Sequence, residues 1–267
     1  MIYPDYHLHT DSSPDGHASA AVMARTAVRR GLTHIALTDH WEAVDYARDS
    51  YASRSARAYA SAELVRQKWE GTLYVARGIE LGSPLFDREL AERQLEQHSY
   101  DFVLASQHQI GTLPDFCLLD YGKLEVLPLL DEYFEQELRL AQWNRFHALA
   151  HLTYPLRYIP AAQAPASYAR WSDLIDAIFR TLIENGKALE INTSGLRKAI
   201  RLTQPELPLI RRYRELHGEL ITFGSDAHRP EDVGAGLDTA AALAAAAGFR
   251  YVTRYIDGRP EPVRLTD

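Results

Sequence analysis

The chain of 267 residues is long enough for one α/β barrel, a fold of ~250 residues, and its 46% hydrophobic and 24% charged residues are ordinary for a globular protein. The formal net charge of -7 and the single cysteine, Cys117, argue against a long nucleic-acid partner and exclude an intrachain disulfide. No apolar run approaches the ~20 residues of a membrane span and the N-terminus lacks a signal-peptide pattern, so we expect a cytoplasmic protein without a membrane partner.

Seven short apolar segments predict strands with both faces covered. They span residues 3–9, 33–39, 73–80, 101–108, 147–152, 188–193 and 220–226. Between and after them, helical patterns span residues 18–30, 51–70, 87–98, 123–146, 167–185, 205–217 and 230–247. Seven strand–helix pairs in succession predict a parallel sheet with right-handed crossovers. The even spacing favours closure into a barrel built from one domain, residues 1–267.

Two connections, residues 109–122 and 153–166, are longer than the usual ~2–6 residues of such connections, which indicates active-site loops. The C-terminal residues predict an extended segment with a turn at Asp257-Gly258.

Histidines and acids concentrate at the ends of the predicted strands. Six of the eleven histidines end a strand or directly follow one: His7, His9, His40, His108, His151 and His228. Acids end three strands: Asp39, Glu80 and Asp226. Because the C-terminal ends of barrel strands meet on one face, we expect these side chains to converge on one mouth.

The spacing of these residues favours metal binding. His7 and His9 have the period-2 spacing of a strand, so both imidazoles point the same way, and Asp226 and His228 repeat the arrangement. Imidazole and carboxylate ligands together suit Zn, Fe or Mn, and the carboxylate of Glu80 can bridge two ions. Because no thiolate is available at these positions, a structural zinc site of the cysteine type is excluded.

A single histidine at a strand end is more often a hydrogen-bonded polar group than a ligand, but so many side chains together would be costly without a metal. The remaining histidines are expected on the surface or at strand starts: His34, His98, His147 and His217. His17 stays ambiguous, because Asp15 in the same loop is better placed as a ligand. Asp39 is expected to orient a ligand histidine from behind, since it faces away from His40.

Seven motifs follow one another from residue 7 to residue 234: HLHTDSSPDG, LTDH, GIE, SQHQIG, AHLTYP, INTSGLR and GSDAHRPEDVG. In this order they resemble the PHP superfamily (polymerase and histidinol phosphatase), and INTSGLR and the compact length are most similar to L-histidinol-phosphate phosphatases. The resemblance implies a distorted (β/α)7 barrel of TIM-like type, in agreement with the seven predicted strands. It also implies hydrolysis of L-histidinol phosphate to L-histidinol and inorganic phosphate, in histidine biosynthesis. The motif SQH departs from the more usual SVH but keeps the ligand histidine.

The resemblance further implies three divalent metal ions held by nine side chains. The first ion would be held by His7, His9, Glu80 and Asp226. Glu80 would bridge to a second ion, which would also be held by His108 and His151. The third ion would be held by Asp15, His40 and His228, with Asp15 at a position where relatives carry a histidine or an acid.

Two metals ~3.5–4 Å apart lower the pKa of a bridging water and neutralise phosphate oxygens, so we expect a bridging hydroxide to attack the phosphorus atom in line. The alkoxide that leaves needs a proton, which Asp226 or His228 could relay; with the bridging Glu80 they form the predicted catalytic set. Arg157 and Arg197 follow strand ends, and the planar fork of arginine matches two phosphate oxygens. The resemblance supports both arginines as substrate ligands.

Other loop residues remain open as substrate contacts. Arg229 could also contact the phosphate, but the following Pro230 suggests a role at a helix start. The amine and imidazole of the substrate need an acid and an aromatic partner, for which four residues are candidates: Glu42, Asp45, Asp115 and Tyr154.

Three alternative functions compete with this interpretation. A PHP phosphoesterase could act on another small phosphate ester, such as a nucleotide. A non-catalytic PHP scaffold predicts lost metal ligands, whereas all nine positions here carry ligating side chains. A barrel amidohydrolase would also place HxH after its first strand but usually has a carboxylated lysine as its bridging group, where this chain has Glu80.

Overall fold

The computed structural model describes residues 3–265. The strands of its parallel sheet are β1 (Asp5–Leu8), β2 (His34–Leu37), β3 (His40–Glu42), β4 (Tyr74–Gly82), β5 (Phe102–Ser106), β6 (Ala148–Leu149), β7 (Ala188–Asn192) and β8 (Ile221–Gly224). The α-helices are α1 (Ala20–Arg29), α2 (Tyr51–Lys68), α3 (Arg88–Gln97), α4 (Val126–Trp143), α5 (Ser172–Glu184), α6 (Leu207–Glu215) and α7 (Leu237–Ala246). The terminal residues 1–2 and 266–267 of the predicted domain lie outside the described residues.

The parallel sheet is the predicted barrel. Its main strand order is β1-β2-β4-β5-β6-β7-β8, and β3 pairs with the second half of β4. The first and last strands approach each other, because Leu8 forms a parallel bridge with Ala227 and the Asp226 N–H donates to the His7 carbonyl at 2.8 Å. The prediction of a distorted (β/α)7 barrel is therefore confirmed.

Two predicted elements are interrupted. The second predicted strand ends at Leu37, and the chain resumes as β3 at His40. Between them the Thr38 N–H still donates to the Leu8 carbonyl at 2.8 Å and the Asp39 carbonyl accepts from the Glu80 N–H at 3.2 Å, while the Asp39 carboxylate accepts hydrogen bonds from the loop after β1. The last helix begins at Leu237 rather than near residue 230. Residues Pro230–Asp232 form a 3-10 turn, and Gly234 and Gly236 then take φ values of 72° and 80°, which do not fit a helix.

An irregularity in β1 places its histidines over the barrel axis. Asp5 pairs with Ile35 and Leu8 with Leu37, so three steps along β1 match two along β2. This extra residue lets Tyr6 pack inside the barrel against Phe102 while the next residue, His7, also turns inward. Bulges re-aim side chains in this way beside functional sites.

The opposite end of the barrel is closed by a C-terminal hairpin. Its strands are β9 (Tyr251–Ile256) and β10 (Arg259–Arg264), joined by the predicted turn at Asp257-Gly258. The Tyr6 hydroxyl donates to the carbonyl of Tyr255 at 2.7 Å, which ties the hairpin to the barrel floor. None of the helices within residues 3–265 combines the length and apolar character needed to cross a lipid bilayer.

Candidate metal centre

Glu80 lies at the centre of the predicted ligand cluster. It sits near the C-terminal end of β4, and its side chain is fully buried. Its Oε1 lies 3.0 Å from His151 Nε2 and 3.3 Å from His108 Nε2. Its Oε2 lies 3.3 Å from His7 Nε2 and 3.5 Å from His9 Nε2. One carboxylate thus faces both predicted pairs of histidines, each pair through a different oxygen, which is the arrangement a bridging ligand requires.

The two carboxylate oxygens of Asp226 face different groups: Oδ1 faces the histidines of the ligand cluster, and Oδ2 faces supporting residues that are not predicted ligands. Its Oδ1 lies 3.5 Å from the ring nitrogens His9 Nε2 and His228 Nδ1. Its Oδ2 accepts hydrogen bonds from Arg157, Asn192 and Ser194 at 3.0–3.3 Å. The residue itself has a φ of 52°, a strained conformation outside glycine that the surrounding bonds maintain. Only Oδ1 is therefore presented to a metal.

The third predicted group also comes together. His228 Nε2 lies 3.1 Å from Asp15 Oδ2 and 3.4 Å from His40 Nε2. The other ring nitrogen of His40, Nδ1, lies 2.8 Å from Glu80 Oε2, so this ring spans the first and third groups. All nine predicted ligands thus meet at one mouth, and the division of individual ligands among individual ions stays a prediction.

Outer hydrogen-bond partners fix the orientation of several rings. His7 Nδ1 donates to Glu190 Oε1 at 2.7 Å, and His108 Nδ1 donates to Glu42 Oε1 at 2.7 Å. His9 Nδ1 donates to the Ser13 hydroxyl at 3.2 Å. With each Nδ1 held from behind, each Nε2 is aimed into the cluster, where it can bind a metal in place of a proton, which is how proteins commonly orient a metal-binding histidine.

Asp39 has the predicted supporting role, but it acts through Ser13. Its carboxylate accepts from the backbone N–H groups of Thr10 and Ser13 and from both of their hydroxyls, at 2.7–3.1 Å. The Ser13 hydroxyl in turn accepts from the His9 ring and from the N–H of His40. Asp39 therefore holds the loop after β1 in the form that carries the ligands.

The charges in the cluster indicate that it is built for cations. Burial opposes ionisation of Glu80, yet His7, His40 and His108 hold the pKa of its carboxyl well below the usual range. Burial likewise opposes protonation of His7 and His40, but neighbouring carboxylates raise the pKa of His7 well above its usual range and that of His40 to about 9. Protons on these imidazoles balance the buried carboxylates, and a divalent metal would replace them.

The residues present fit a metal centre. Among the described residues, several buried polar atoms of the cluster lie close to one another but make no hydrogen bond of acceptable geometry: His7 Nε2, His9 Nε2, His40 Nδ1 and Glu80 Oε2. Donor atoms from four sets of three residues lie within 4.8 Å of one another, and each set is drawn from the predicted ligands. Such unpaired buried groups are costly unless a ligand satisfies them, and nitrogen and oxygen donors suit divalent first-row metals.

Both predicted arginines line the mouth. Arg157 is nearly buried, and its Nε, Nη1 and Nη2 contact Gln204, Asp226 and Asn192 at 2.7, 3.0 and 3.3 Å. Arg197 donates from Nη2 to the Ser225 carbonyl at 2.6 Å, and its Nε lies 3.3 Å from Asp232. Both line a cavity of about 430 Å³ over the cluster, which has room for a small molecule.

The four candidate contacts for a substrate amine or imidazole are differently placed. Glu42 is occupied by the His108 ring, and Asp45 pairs with Arg48 at 2.7 Å. The Tyr154 hydroxyl donates to Asp115 at 3.1 Å, and the Tyr154 ring lines the cavity. Among the four candidates, the Tyr154–Asp115 pair is thus better placed to face a substrate.

Arg229 and His147 lie at opposite ends of the barrel, Arg229 at the mouth and His147 at the floor. Arg229 is exposed, and its Nη2 lies 3.3 Å from His17 Nε2 at the rim of the mouth. His147 directly precedes β6, in agreement with a strand start, but it is not the expected surface residue, since its side chain is partly buried. Its ring packs against Phe102 and Tyr255, and its Nδ1 accepts from a backbone N–H, so it is a structural residue of the barrel floor rather than a surface residue.

Comparison with known proteins leads to the same family as the motifs. The sequence matches the PHP domain over residues 5–194, more than half of the chain. The chain belongs to the PHP domain family. The matched residues of this PHP barrel include seven of its nine predicted ligands, and Asp226 and His228 lie beyond them.

Full-length relatives resemble this PHP barrel along nearly the whole chain. A Thermotoga maritima protein named "Probable histidinol-phosphatase" is 30% identical over 267 aligned residues, which cover 96% of each chain. The histidinol-phosphatase of Lactococcus lactis is 24% identical over 257 residues, which cover 94% of this chain and 93% of the relative. The crystal structure of the histidinol phosphate phosphatase from Lactococcus lactis, complexed with Zn, L-histidinol and phosphate, has the same fold, with a TM-score of 0.79 and 21% identity over 97% of this chain and 98% of the other.

Sequence reasoning missed several residues that support the site. Glu190 and Asn192 project from β7 into the ligand cluster, and Ser83 accepts from the N–H groups of His108 and Gln109. One signal was available, because Glu190 and Asn192 are polar residues at period-2 spacing in an otherwise apolar strand. Such residues inside a barrel need partners there.

Proposed function

We propose that this PHP barrel is a metal-dependent phosphomonoesterase that hydrolyses L-histidinol phosphate to L-histidinol and inorganic phosphate. The observation that carries the proposal is the convergence of nine potential metal ligands, with Glu80 at their centre, beside two arginines that line the same cavity. The names of the full-length relatives support this substrate, and their alignments cover more than nine tenths of this chain.

Nine side chains would hold three divalent ions, of Zn, Fe or Mn. Glu80 would bridge the first ion, with His7, His9 and Asp226, to the second, with His108 and His151, while Asp15, His40 and His228 would hold the third. Bound divalent ions supply a nucleophilic water of lowered pKa and neutralise charge on the phosphate.

The arginines would bind and orient the phosphate group. Arg157 is held rigidly by three protein contacts, and its Nη1 and Nη2 each retain a second N–H for a phosphate oxygen. Arg197 has a buried Nη1 without a protein partner in the described part of the chain. Because arginine donors match phosphate oxygens in geometry and charge, the two residues would position the ester over Glu80.

The charge state of Asp226 limits its role. Burial opposes ionisation of its carboxyl, but His7 and Arg157 hold its pKa well below the usual range. At neutral pH Asp226 is thus a carboxylate, which can accept a proton but carries none to donate. His228, as a ligand of the third ion, would carry no proton on Nε2, and its Nδ1 is bonded to the Asp226 carbonyl at 3.2 Å, so the proton for the leaving alkoxide would come from solvent, relayed past Asp226 or His228.

The size of the cavity and the overall charge support a small substrate. A volume of about 430 Å³ accommodates a small phosphate ester, while the net charge of -7 does not favour long nucleic acid.

We assign residues 1–267 to one PHP-type domain. The lone Cys117 supports the reducing cytoplasm as the compartment.

The direct test is phosphate release by purified, metal-supplemented protein. L-histidinol phosphate, a nucleoside monophosphate and an aryl phosphate are compared at equal concentrations, with the metal content measured on the same sample. The proposal predicts a kcat/KM for L-histidinol phosphate that exceeds the others by at least about tenfold. A metal-loaded protein that prefers the nucleotide would retain the phosphoesterase chemistry and overturn the substrate.

A further inference from the structure

Glu190 contacts two candidate ligands that belong to different predicted metal positions. Its Oε1 accepts from His7 Nδ1 at 2.7 Å, and its Oε2 accepts from the backbone N–H of His151 at 2.8 Å. The side chain is only 1% exposed, and Asn192 donates to Oε2 at 3.2 Å. His151 has a φ of 21°, so the bond to Glu190 holds a strained backbone at the point where the ligand leaves its strand.

Ser13 makes an equivalent double contact on the other side of the cluster. Its hydroxyl accepts from His9 Nδ1 at 3.2 Å and from the N–H of His40 at 3.0 Å. It donates its one proton to Asp39 Oδ1 at 2.7 Å. A hydroxyl has one donor and two acceptor sites, so every hydrogen-bonding position of Ser13 is used.

Another outer partner hydrogen-bonds a single ligand ring and provides a contrast. Glu42 accepts from His108 Nδ1 at 2.7 Å, its Oε1 lies farther from His40 Nδ1, at 3.8 Å, and its side chain is partly exposed. Displacement of Glu42 would therefore disturb one imidazole, whereas displacement of Glu190 or Ser13 would disturb two ligands together.

We propose that Glu190 and Ser13 are positioning residues that couple occupancy between metal positions. Glu190 links His7 of the first position to His151 of the second, and Ser13 links His9 of the first to His40 of the third. The inference rests on the ligand set of the proposed function. Because each side chain fixes one ligand through its ring and another through its backbone, a metal that orders the first ligand also orders the second.

Each coupling predicts a distinct pattern of metal loss. Glu190→Gln keeps the volume but has one acceptor oxygen, so either the His7 ring or the His151 backbone loses its partner. We expect the first and second positions to weaken together by roughly 10–100-fold in affinity, with the third retained. Ser13→Ala should weaken the first and third positions together and retain the second.

Two matched controls separate coupling from general damage. Glu42→Gln should weaken the second position alone. Glu137 is also fully buried and sits on α4, where its carboxyl neighbours Tyr133 and makes no hydrogen bond to any of the nine ligands. Glu137→Gln should leave metal binding unchanged.

The experiment is titration of the metal-free, full-length proteins with Co²⁺, followed by the visible absorption bands of the bound ion and by competition with a chelator. Wild type is expected to bind three ions, and each coupling variant should lose two affinities in parallel. Equal binding curves for wild type and Glu190→Gln, or loss of one position only, would overturn the coupling by Glu190.

Failures of the two proposals are distinguishable. A wild-type protein that binds no Co²⁺ would remove the metal centre of the proposed function itself. A wild type that binds three ions, beside variants that bind identically, would remove the coupling alone. Far-UV circular dichroism checks that each variant folds. If Glu190→Gln misfolds, Ser13→Ala still tests the coupling, because it affects a different pair of metal positions.

Discussion

Arg197 offers a sharp test of phosphate recognition, because its guanidinium is only partly used by the protein. Nη2 donates to the Ser225 carbonyl at 2.6 Å and Nε faces Asp232 at 3.3 Å, which fixes the plane of the guanidinium. Nη1 is buried and has no hydrogen-bond partner within residues 3–265, although the side chain lines the cavity. A phosphate oxygen would satisfy this donor.

The size of the effect follows from that single free donor. Arg197→Ala removes about one charge-assisted hydrogen bond to the phosphate, which is worth about 1.5–3 kcal/mol. At about 1.4 kcal/mol for each factor of ten, kcat/KM should fall by roughly 10–150-fold. Arg197→Lys keeps the charge but not the planar fork, so it should fall between the alanine variant and wild type.

The assay is the initial rate of phosphate release across a range of L-histidinol phosphate concentrations. Inorganic phosphate as a competitive inhibitor gives an independent measure of the same contact and should bind the alanine variant more weakly. Metal content must be equal in all samples, since Arg197 is not a predicted metal ligand. A kcat/KM for Arg197→Ala within twofold of wild type would refute the reasoning and leave Arg197 as a partner of Asp232.

Two further substitutions test the buried charges. Arg157→Ala leaves the Asp226 carboxylate without its cation in a pair whose side chains are 6% and 5% exposed, so the free energy of unfolding should fall by about 3–5 kcal/mol in urea titrations, and an unchanged midpoint would contradict this. Burial raises the pKa of Glu137 to about 8, so between pH 4.5 and 8 the folded state keeps a proton that the unfolded state releases, and stability falls as the pH rises. The pKa difference of about 3.5 units, at about 1.36 kcal/mol each, means that the free energy of unfolding of wild type should fall by about 5 kcal/mol up to pH 8, when compared with Glu137→Gln. If the unfolding free energies of wild type and Glu137→Gln change in parallel with pH, the raised pKa of Glu137 is excluded.

The site residues that can be predicted from the sequence are those that stand at the C-terminal ends of strands. Glu80, His108 and Asp226 stand at or just beyond the C-terminal ends of apolar segments. Because a parallel barrel gathers those ends at one mouth, chain order alone brings together residues separated by more than 100 positions. The seven main strands themselves follow from the short apolar segments.

The supporting residues could not be predicted, because their partners are set by three-dimensional proximity. Glu190 bonds His7 across 183 positions, and nothing in the strand sequence names that partner. Glu42 was a candidate substrate contact until the fold placed it behind His108. The hydrogen bonds that the Asp39 carboxylate accepts from a loop 26–29 residues away were equally hidden, because no pattern in the sequence indicates those partners.

The central claim is that the Glu80 cluster binds the metals on which phosphate hydrolysis depends, and Glu80→Gln tests it most directly. Its carboxylate faces ring nitrogens of His7, His9, His108 and His151 at 3.0–3.5 Å, so an amide in its place removes the bridge between the first two positions. Metal content and histidinol phosphate turnover are measured on the same samples of wild type and variant. The account predicts that the variant keeps its circular dichroism spectrum, loses bound metal and loses at least about a hundredfold in turnover. Near-normal turnover by the folded variant would contradict the account.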